Sequence, residues 1–330
     1  MKIAIVKLSA MGDIIHAMVA LQYIKIAKPN IEIDWIVEES FVSILEANPH
    51  ISNILAVNLK SIKKNIFNIF AQKKLVNTYV KNNYDLIIDA QGLIKSGIVT
   101  KILGKNRAGF SKNSIREGLA SSFYTQTVEI AYDANTIDRN VRVLAEPLDL
   151  EITKQMILDK KPFLFYRHDE VLNALSLHKK NIIFVIGSTW ESRNYPKEKF
   201  AQIAETLAQN VVITWGSNSE RLDAEWIASE TQYAKALPKI NLNALKAIIG
   251  ESDLLIGNDT GPTHMAWAMN IPSITIFGPT PTNRVYETKI NKVIASNSEV
   301  NHYKLDKNDF SIKDIPASKI IAIARELLDA

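Results

Sequence analysis

The chain of 330 residues contains no cysteine, and it has only 12 glycines and 11 prolines. The absence of cysteine excludes disulfide bonds, thiolate catalysis, and zinc or iron–sulfur sites that need cysteine ligands. Few glycines and prolines, together with 22% charged residues, argue against a disordered or fibrous chain. These absences leave a globular protein, and the lack of cysteine is compatible with a cytoplasmic address.

Long hydrophobic runs are also missing. No apolar stretch approaches the roughly 18–20 residues of a membrane-spanning helix. The first eight residues are mostly apolar but contain Lys2 and are interrupted by Lys7, and no apolar core of a signal peptide follows them. We therefore expect a soluble protein in which any membrane contact is peripheral.

A strong charge of one sign is absent as well. Lysine and arginine number 39, aspartate and glutamate number 35, and the formal net charge is +4. This mild excess suits an acidic small ligand or an anionic surface, and no nucleic-acid-binding motif accompanies it. We expect no nucleic-acid partner.

The length is typical of two domains, and 47% hydrophobic residues are enough for two buried cores. Short apolar runs alternate with helical patterns, the alternation pauses between Leu150 and Lys180, and it restarts at Asn181. This pattern predicts an α/β protein with two doubly wound, Rossmann-like layers of parallel strands, over residues 1–160 and 161–330. Ligands are expected in a cleft at the carboxyl ends of the strands.

The stretch 254–269 is the most informative part of the chain. A short apolar run passes into Asn258-Asp259-Thr260-Gly261-Pro262 and then into residues with helical spacing, which predicts a strand, a tight turn and a helix. Pro262 suits the first turn of a helix, where unpaired N–H groups attract anions. A single junction of this kind is usually only a structural turn, with Asp259 as a cap.

The first strand, Lys2–Leu8, is followed by a turn containing Gly12 and Asp13. Apolar residues recur at helical spacing after Asp13, so this residue is predicted to cap the helix. A dinucleotide-binding turn would contain three glycines, and only Gly12 is present, which disfavours nicotinamide chemistry.

Polar residues follow several other predicted strands. Ser188, Thr189 and Arg193 could bind phosphate oxygens or simply form a polar loop. Glu220 could favour a helix dipole or bind the two hydroxyls of a ribose. Lysines 60, 63 and 64 form a small basic group that is either a solvated face or a grip for an anionic acceptor.

Taken together and in order, several segments resemble the ADP-heptose glycosyltransferases of lipopolysaccharide synthesis. The matching segments are Lys7–Asp13, Asp89–Ser96, Arg116-Glu117, Trp215-Gly216 with Glu220, Leu237–Lys239 and Asn258–His264. Each motif is unspecific alone, but the ordered set covers nearly the whole chain. The resemblance is strongest to the members that add the first heptose to Kdo-lipid A.

This resemblance implies a GT-B fold, with an N-terminal acceptor domain and a C-terminal nucleotide-sugar domain whose last helix, about 316–328, can return to the first domain. It implies metal-independent, inverting transfer of heptose from ADP-heptose to a Kdo hydroxyl, with no cofactor. Asp13 matches the catalytic base, although a carboxylate is a weak base and much of its benefit comes from orienting the nucleophile.

The resemblance also assigns binding residues. Those implied for the donor are Ser188, Thr189, Arg193, Glu220, Ile240, Asp259, Thr260, Gly261, Thr263 and His264. Among them, Glu220 corresponds to the ribose ligand and Asp259 to a ligand of the sugar hydroxyls. Those implied for the acceptor are Gly12, Lys60, Lys63, Lys64, Gln91, Lys95 and Arg116. Two positions depart from the family pattern, since Arg193 replaces a lysine and Ile240 a methionine.

Three alternatives remain open at this point. A later core heptosyltransferase would act on a heptose already in place, a nucleotide-sugar epimerase would need no acceptor groove, and a two-domain sugar-binding protein would carry an export signal. The implied lipid acceptor places the enzyme at the cytoplasmic face of the inner membrane, in peripheral contact with its anionic surface.

Overall fold

The computed structural model describes residues 1–301 and 305–329. The chain divides into two compact units, residues 1–165 and 166–330. Each unit is built on one parallel sheet of six strands with helices packed against it. Within the described residues, no helix is long and apolar enough to cross a membrane.

The first unit contains strands β1–β6 and helices α1–α6. The strands are β1 Lys2–Val6, β2 Glu32–Glu38, β3 Asn53–Val57, β4 Leu86–Asp89, β5 Arg107–Phe110 and β6 Gln126–Val128. The helices are α1 Met11–Ala27, α2 Val42–Leu45, α3 Asn68–Tyr79, α4 Ile94–Leu103, α5 Thr136–Ala145 and α6 Lys154–Leu158.

The second unit contains strands β7–β12 and helices α7–α11. The strands are β7 Asn181–Val185, β8 Asn210–Thr214, β9 Ala234–Ala236, β10 Leu254–Asn258, β11 Ser273–Phe277 and β12 Asn291–Ala295. The helices are α7 Lys197–Leu207, α8 Asn218–Glu230, α9 Leu242–Gly250, α10 Gly261–Met269 and α11 Ala317–Asp329.

Four strands in or near the middle of the two sheets are buried along their whole length. Every residue of β4, β7, β10 and β11 is buried, as expected for parallel strands covered by helices on both faces. In the first unit, α1 and α5 pack together, and Ile137, Val141 and Leu144 of α5 are buried at helical spacing. These apolar layers fix the strand ends from which the polar loops project.

Both sheets have the same strand order. The first runs β3-β2-β1-β4-β5-β6, and the second, read from its β9 edge, runs β9-β8-β7-β10-β11-β12. In each sheet the order reverses between two central strands, β1 and β4 in the first and β7 and β10 in the second. Loops after the two strands diverge at such a switch point, which is where ligands bind in open α/β sheets.

The structure corrects one local prediction. Helix α1 begins at Met11, its N-cap is Ala10, and Asp13 is the third helical residue and not the N-cap. Ala10 has no side-chain oxygen, so the cap position carried no sequence signal. Helix α11 packs on α7 and on β10 and β11; its return to the first domain stays a prediction.

Candidate active site

The loops after β1 and β4 are bound to each other at the first switch point. The Gln91 side-chain oxygen accepts hydrogen bonds from the backbone N–H groups of Leu8 (3.0 Å) and Ser9 (2.9 Å). The buried Lys7 ammonium donates to the Ala90 carbonyl at 2.7 Å. Gln91, predicted to bind the acceptor, thus holds the loop that leads to Asp13.

Asp13 lies at the half-exposed start of α1, next to Gly12, while the following helical residues are buried. Its Oδ2 accepts a hydrogen bond from the Ala10 N–H at 3.3 Å. Two cations lie within electrostatic reach of it, Lys7 directly after β1 and Arg139 from α5. Burial lowers the pKa of the Lys7 ammonium, and the charges of Asp13 and Asp89 oppose that shift.

Arg139 is a residue that the sequence analysis missed. Its guanidinium donates to the carbonyls of Ala131 (2.8 Å) and Ser114 (2.6 Å) and lies over the ring of Phe110. These contacts fix a cation within electrostatic reach of Asp13. No motif marks it, because only the packing of α5 against α1 brings it there.

Glu38, at the end of β2, is a second missed residue. It is buried, and among the described residues no group lies within hydrogen-bond distance of its Oε1. Burial raises the pKa of this carboxyl, while the charges of Lys95 and Lys60 and the N–H groups of Lys60 and Leu59 oppose the shift. The structure therefore brings Lys60 and Lys95 together around a buried carboxyl group.

The lysine trio and Arg116, also predicted to bind the acceptor, have few side-chain contacts with the rest of the first unit. Lys60 also lies near the Ser40 hydroxyl (3.4 Å) and over the Phe41 ring. Lys63, Lys64 and Arg116 are exposed, and within the described part of the chain none of the three has an ion-pair partner. The lysine trio is thus split, with one member held near Glu38 and two directed to solvent.

In the second unit, Asp259 is the centre of the polar network at the end of β10. Its Oδ2 pairs with Arg193 Nη2 at 2.7 Å and accepts from the Thr280 hydroxyl at 3.3 Å, and its Oδ1 lies 3.4 Å from His264 Nε2. Burial opposes the charge of Asp259, but His264, Arg193 and Arg284 outweigh it and lower the pKa of the carboxyl well below its usual range.

Arg284, in a short turn after β11, is the most informative residue that the sequence analysis missed. Its charge lowers the pKa of both Asp259 and the neighbouring Arg193, for which burial is the larger cause. Two arginines therefore act electrostatically on one buried carboxylate, whose charge balances only one of them. The excess positive charge favours an anion at this position.

Several polar atoms in the loop after β7 are buried without a partner among the described residues. They are Ser188 Oγ, Ser192 Oγ, Arg193 Nε and Asn194 Oδ1. Four such atoms in seven residues are unusual, because buried polar groups are normally hydrogen-bonded. Three of them belong to groups that can donate to phosphate oxygens.

Asn258 positions this loop. Its side-chain amide donates to the Ile186 carbonyl at 2.6 Å and its oxygen accepts from the Tyr195 N–H at 3.1 Å. The Asn258 carbonyl in turn accepts from the Thr263 hydroxyl at 2.6 Å. The loop after β7 and the start of α10 are thus joined through one residue at the second switch point.

Helix α10 begins at Gly261, one residue before the predicted Pro262, and its N-cap is Thr260 and not Asp259. Thr260 is the N-cap without a side-chain cap bond, and Gly261 and Pro262 form the first turn. The N–H groups of Thr263 and His264 lie 3.1 Å and 3.4 Å from the Thr260 carbonyl. The helix start directly follows Asp259, whose carboxylate pairs with Arg193.

Glu220, in the first turn of α8, lies beside the same loop. Its Oε2 accepts from the Gly216 N–H at 2.7 Å, and a Cβ built on Gly187 would lie 2.1 Å from its carboxyl carbon. A side chain at 187 would therefore displace this carboxylate from its present position. Ile240 is half-buried at the start of the turn into α9, and Thr189 is exposed.

Comparison with known proteins agrees with this arrangement. The model of glycosyltransferase family 9 (heptosyltransferase) matches residues 73–313. Lipopolysaccharide heptosyltransferase 1 of Campylobacter coli is 38% identical over 99% of each chain, and that of Pseudomonas aeruginosa is 30% identical over 85% of this chain and 79% of its own. The solved E. coli heptosyltransferase WaaC with ADP-2-deoxy-2-fluoro heptose superimposes with a TM-score of 0.81 at 26% identity over 99% of both chains.

The chain therefore belongs to glycosyltransferase family 9, the heptosyltransferase family, and is a glycosyltransferase. The structural match over nearly the whole chain confirms the predicted GT-B fold class. Asp13 precedes the residues matched by the family model but lies within the segment shared with the C. coli relative.

Proposed function

We propose that this glycosyltransferase moves heptose from ADP-L-glycero-D-manno-heptose to a Kdo hydroxyl of Kdo-lipid A. The first domain binds the acceptor and the second binds the donor, at the cytoplasmic face of the inner membrane. Two relatives named lipopolysaccharide heptosyltransferase 1 support the acceptor, and the WaaC structure with an ADP-heptose analogue supports the donor.

The observation that carries the proposal is the polar network around Asp259. Arg193 and Arg284 place two positive charges beside one carboxylate, and the start of α10 adds backbone N–H groups. A diphosphate leaving group gains negative charge as the sugar departs, so fixed donors here stabilise the transition state. In this proposal the arginines and His264 take the part that a metal ion plays in other transferases.

Glu220 binds the ribose in this proposal, and Ile240 forms part of the wall beside the adenine. The Glu220 carboxylate is held by the Gly216 N–H and has one oxygen left for ribose hydroxyls. Ser188 and Thr189 donate to the diphosphate, and the buried, unpartnered Ser188 hydroxyl supports that role. Asp259 orients Arg193 and contacts the sugar hydroxyls.

On the acceptor side, Asp13 takes the proton of the Kdo hydroxyl as its oxygen attacks the anomeric carbon. The bond from that carbon to the diphosphate oxygen breaks, ADP leaves, and the configuration inverts. The cations Lys7 and Arg139 lie within electrostatic reach of the Asp13 carboxylate. Lys60, Lys63, Lys64, Lys95 and Arg116 attract the carboxylates and phosphates of the acceptor.

The test is an ADP-release assay in the presence of EDTA, with ADP-heptose as donor. The acceptor is Kdo-lipid A, an acceptor that already carries heptose, or none. We expect ADP release with Kdo-lipid A, and a product whose mass increases by one heptose. Release only with an acceptor that already carries heptose would indicate a later core transferase. Release without any acceptor would indicate an epimerase or hydrolase, and dependence on added metal would contradict the charge arrangement proposed here.

A further inference from the structure

The first unit contains a long stretch without negative charge. Between Glu46 and Asp85 the sequence has six lysines and no aspartate, glutamate or arginine. Four of these lysines, Lys63, Lys64, Lys73 and Lys74, form what we call the lysine quartet. All four are exposed, and among the described residues no carboxylate forms an ion pair with any of them.

Large apolar side chains are exposed in the middle of this stretch. Ile66, Phe67, Ile69 and Phe70, the apolar quartet, are 64%, 72%, 46% and 70% exposed. Four large apolar residues exposed within five positions are unusual on a water-soluble surface, where single exposed side chains are the norm. The apolar quartet lies between the two lysine pairs in sequence.

Helix α3 presents Ile69 and Phe70 to solvent because its other face is occupied, and Ile66 and Phe67 directly precede the helix. Val76 is buried, the Gln72 side chain accepts from the Asn58 N–H at 2.7 Å, and the Tyr79 hydroxyl donates to the Ala56 carbonyl at 2.7 Å. The side chains of Ile69 and Phe70 precede those of Lys73 and Lys74 by one turn and lie on the outer face. The structure thus holds apolar rings and ammonium groups on one outward surface.

We infer that the apolar and lysine quartets form a docking surface for an anionic lipid bilayer. The aromatic and aliphatic side chains enter the boundary between headgroups and acyl chains, and the ammonium groups contact anionic headgroups. A second copy of this chain is a poor occupant, because a symmetric pairing would bring two lysine quartets together. The inference deepens the proposed function, since a lipid-linked acceptor is presented at such a membrane.

Vesicle sedimentation tests the surface directly. The full chain should bind vesicles of phosphatidylcholine with roughly a third phosphatidylglycerol, and bind pure phosphatidylcholine much more weakly. Phe67→Ala/Phe70→Ala should weaken binding by about tenfold or more at any salt concentration. Replacing the lysine quartet by glutamine should abolish the preference for anionic vesicles.

The matched control is Leu119→Ala/Leu177→Ala, since these leucines are 73% and 95% exposed elsewhere on the chain. This control should bind vesicles like the parent chain.

Because the chain has no cysteine, Phe67→Cys and Leu177→Cys also allow an environment-sensitive fluorophore to be attached at one position in each variant. When vesicles are added, only the fluorophore at position 67 should shift its emission to shorter wavelength. Equal binding by all alanine variants, or equal shifts of both labels, would overturn the inference.

Two further measurements separate this inference from the proposed function. With a deacylated, water-soluble Kdo acceptor, Phe67→Ala/Phe70→Ala should keep the parent kcat/KM, and with Kdo-lipid A in vesicles it should lose activity in parallel with binding. Vesicle binding without transfer to either acceptor would contradict the proposed function and leave the docking surface supported. A concentration-dependent dimer that the double alanine variant abolishes would identify the surface as a contact between copies and overturn the inference.

Discussion

At the scale of single residues, the proposed function gives Asp13 both a structural and a chemical role. The resemblance to the heptosyltransferases implies that Asp13 is the base, whereas the helical pattern predicts a capping role that is wrong because Ala10 is the N-cap. The Asp13 carboxylate accepts the Ala10 N–H, so a variant that keeps an oxygen there preserves the helix start. The two roles can therefore be separated by mutation.

We predict that Asp13→Asn lowers kcat by about 10²–10⁴-fold, because it removes the base but keeps an oxygen near the Ala10 N–H. Asp13→Ala should lose as much activity and also about 0.5–1 kcal/mol of the free energy of unfolding. Kinetics, urea denaturation and ADP titration measure these effects, and the Kd of ADP should stay within about twofold in both variants. A turnover of Asp13→Asn close to that of the parent would show that Asp13 only supports the start of α1 through the Ala10 N–H.

Arg284 and Glu38 show what sequence reasoning could not find. Neither lies in a recognisable motif, and each matters because the fold brings the end of another strand next to it. Arg284 follows β11 yet acts on Asp259 after β10, and Glu38 ends β2 yet faces Lys95 in α4. Such pairings follow from strand order, which short motifs do not encode.

We predict that Arg284→Gln raises the Kd of ADP by about 10–100-fold, because one charge-assisted contact to the diphosphate is lost. Isothermal titration measures the change. The matched control is Arg325→Gln on the exposed side of α11, which removes the same charge from the second unit and should leave the Kd unchanged. Equal affinities for both variants would remove Arg284 from the donor site.

At the scale of secondary-structure elements, the junctions between strands and helices carry the site. The sequence predicts β10, the turn at Gly261 and α10 because a buried apolar run, a glycine and a proline follow one another. It does not predict edge strands such as β6 or β9, each of three residues with little apolar character. Their strand state depends on pairing with a neighbour, which a local pattern cannot reveal.

The close contact between Gly187 and Glu220 gives a prediction at this scale. Gly187→Ala places a methyl group 2.1–2.5 Å from the present carboxyl atoms of Glu220, so the end of that flexible side chain must move. We expect a Kd of ADP about tenfold higher with little change in Tm. Gly216→Ala is the matched control, since its methyl would lie 3.6 Å from Glu220, an ordinary contact. Identical affinities of the two variants would contradict a ribose-binding role for Glu220.

At the scale of the whole molecule, the two units repeat one strand order without a recognisable sequence repeat. The sequence predicts two βα arrays because alternation of apolar runs and helices stops and restarts. It cannot fix where the first unit ends, because the segment around Phe163 is apolar but irregular. Phe163 is buried, and its carbonyl accepts a hydrogen bond from Asn48 at 3.1 Å, which joins this segment to the first unit.

Lys160, close to the end of the first unit, links stability to pH. Burial lowers the pKa of its ammonium from 10.5 to about 7. The unfolded chain therefore binds more protons between these two values, so the free energy of unfolding rises with pH across that window. We predict that Lys160→Met is more stable than the parent by about 2–4 kcal/mol at neutral pH, and that the difference shrinks towards pH ~10.5. Urea denaturation at several pH values measures it, and a difference independent of pH would contradict the shift.

The central claim is that this chain binds the diphosphate of ADP-heptose with its own cations and backbone N–H groups at the second switch point. A crystal structure with ADP tests it most directly. We predict diphosphate oxygens within hydrogen-bond distance of Arg193, of Arg284 and of the N–H groups at the start of α10, with the ribose hydroxyls on Glu220. Nucleotide density away from Gly261, or a diphosphate held by a metal ion on carboxylates, would contradict it.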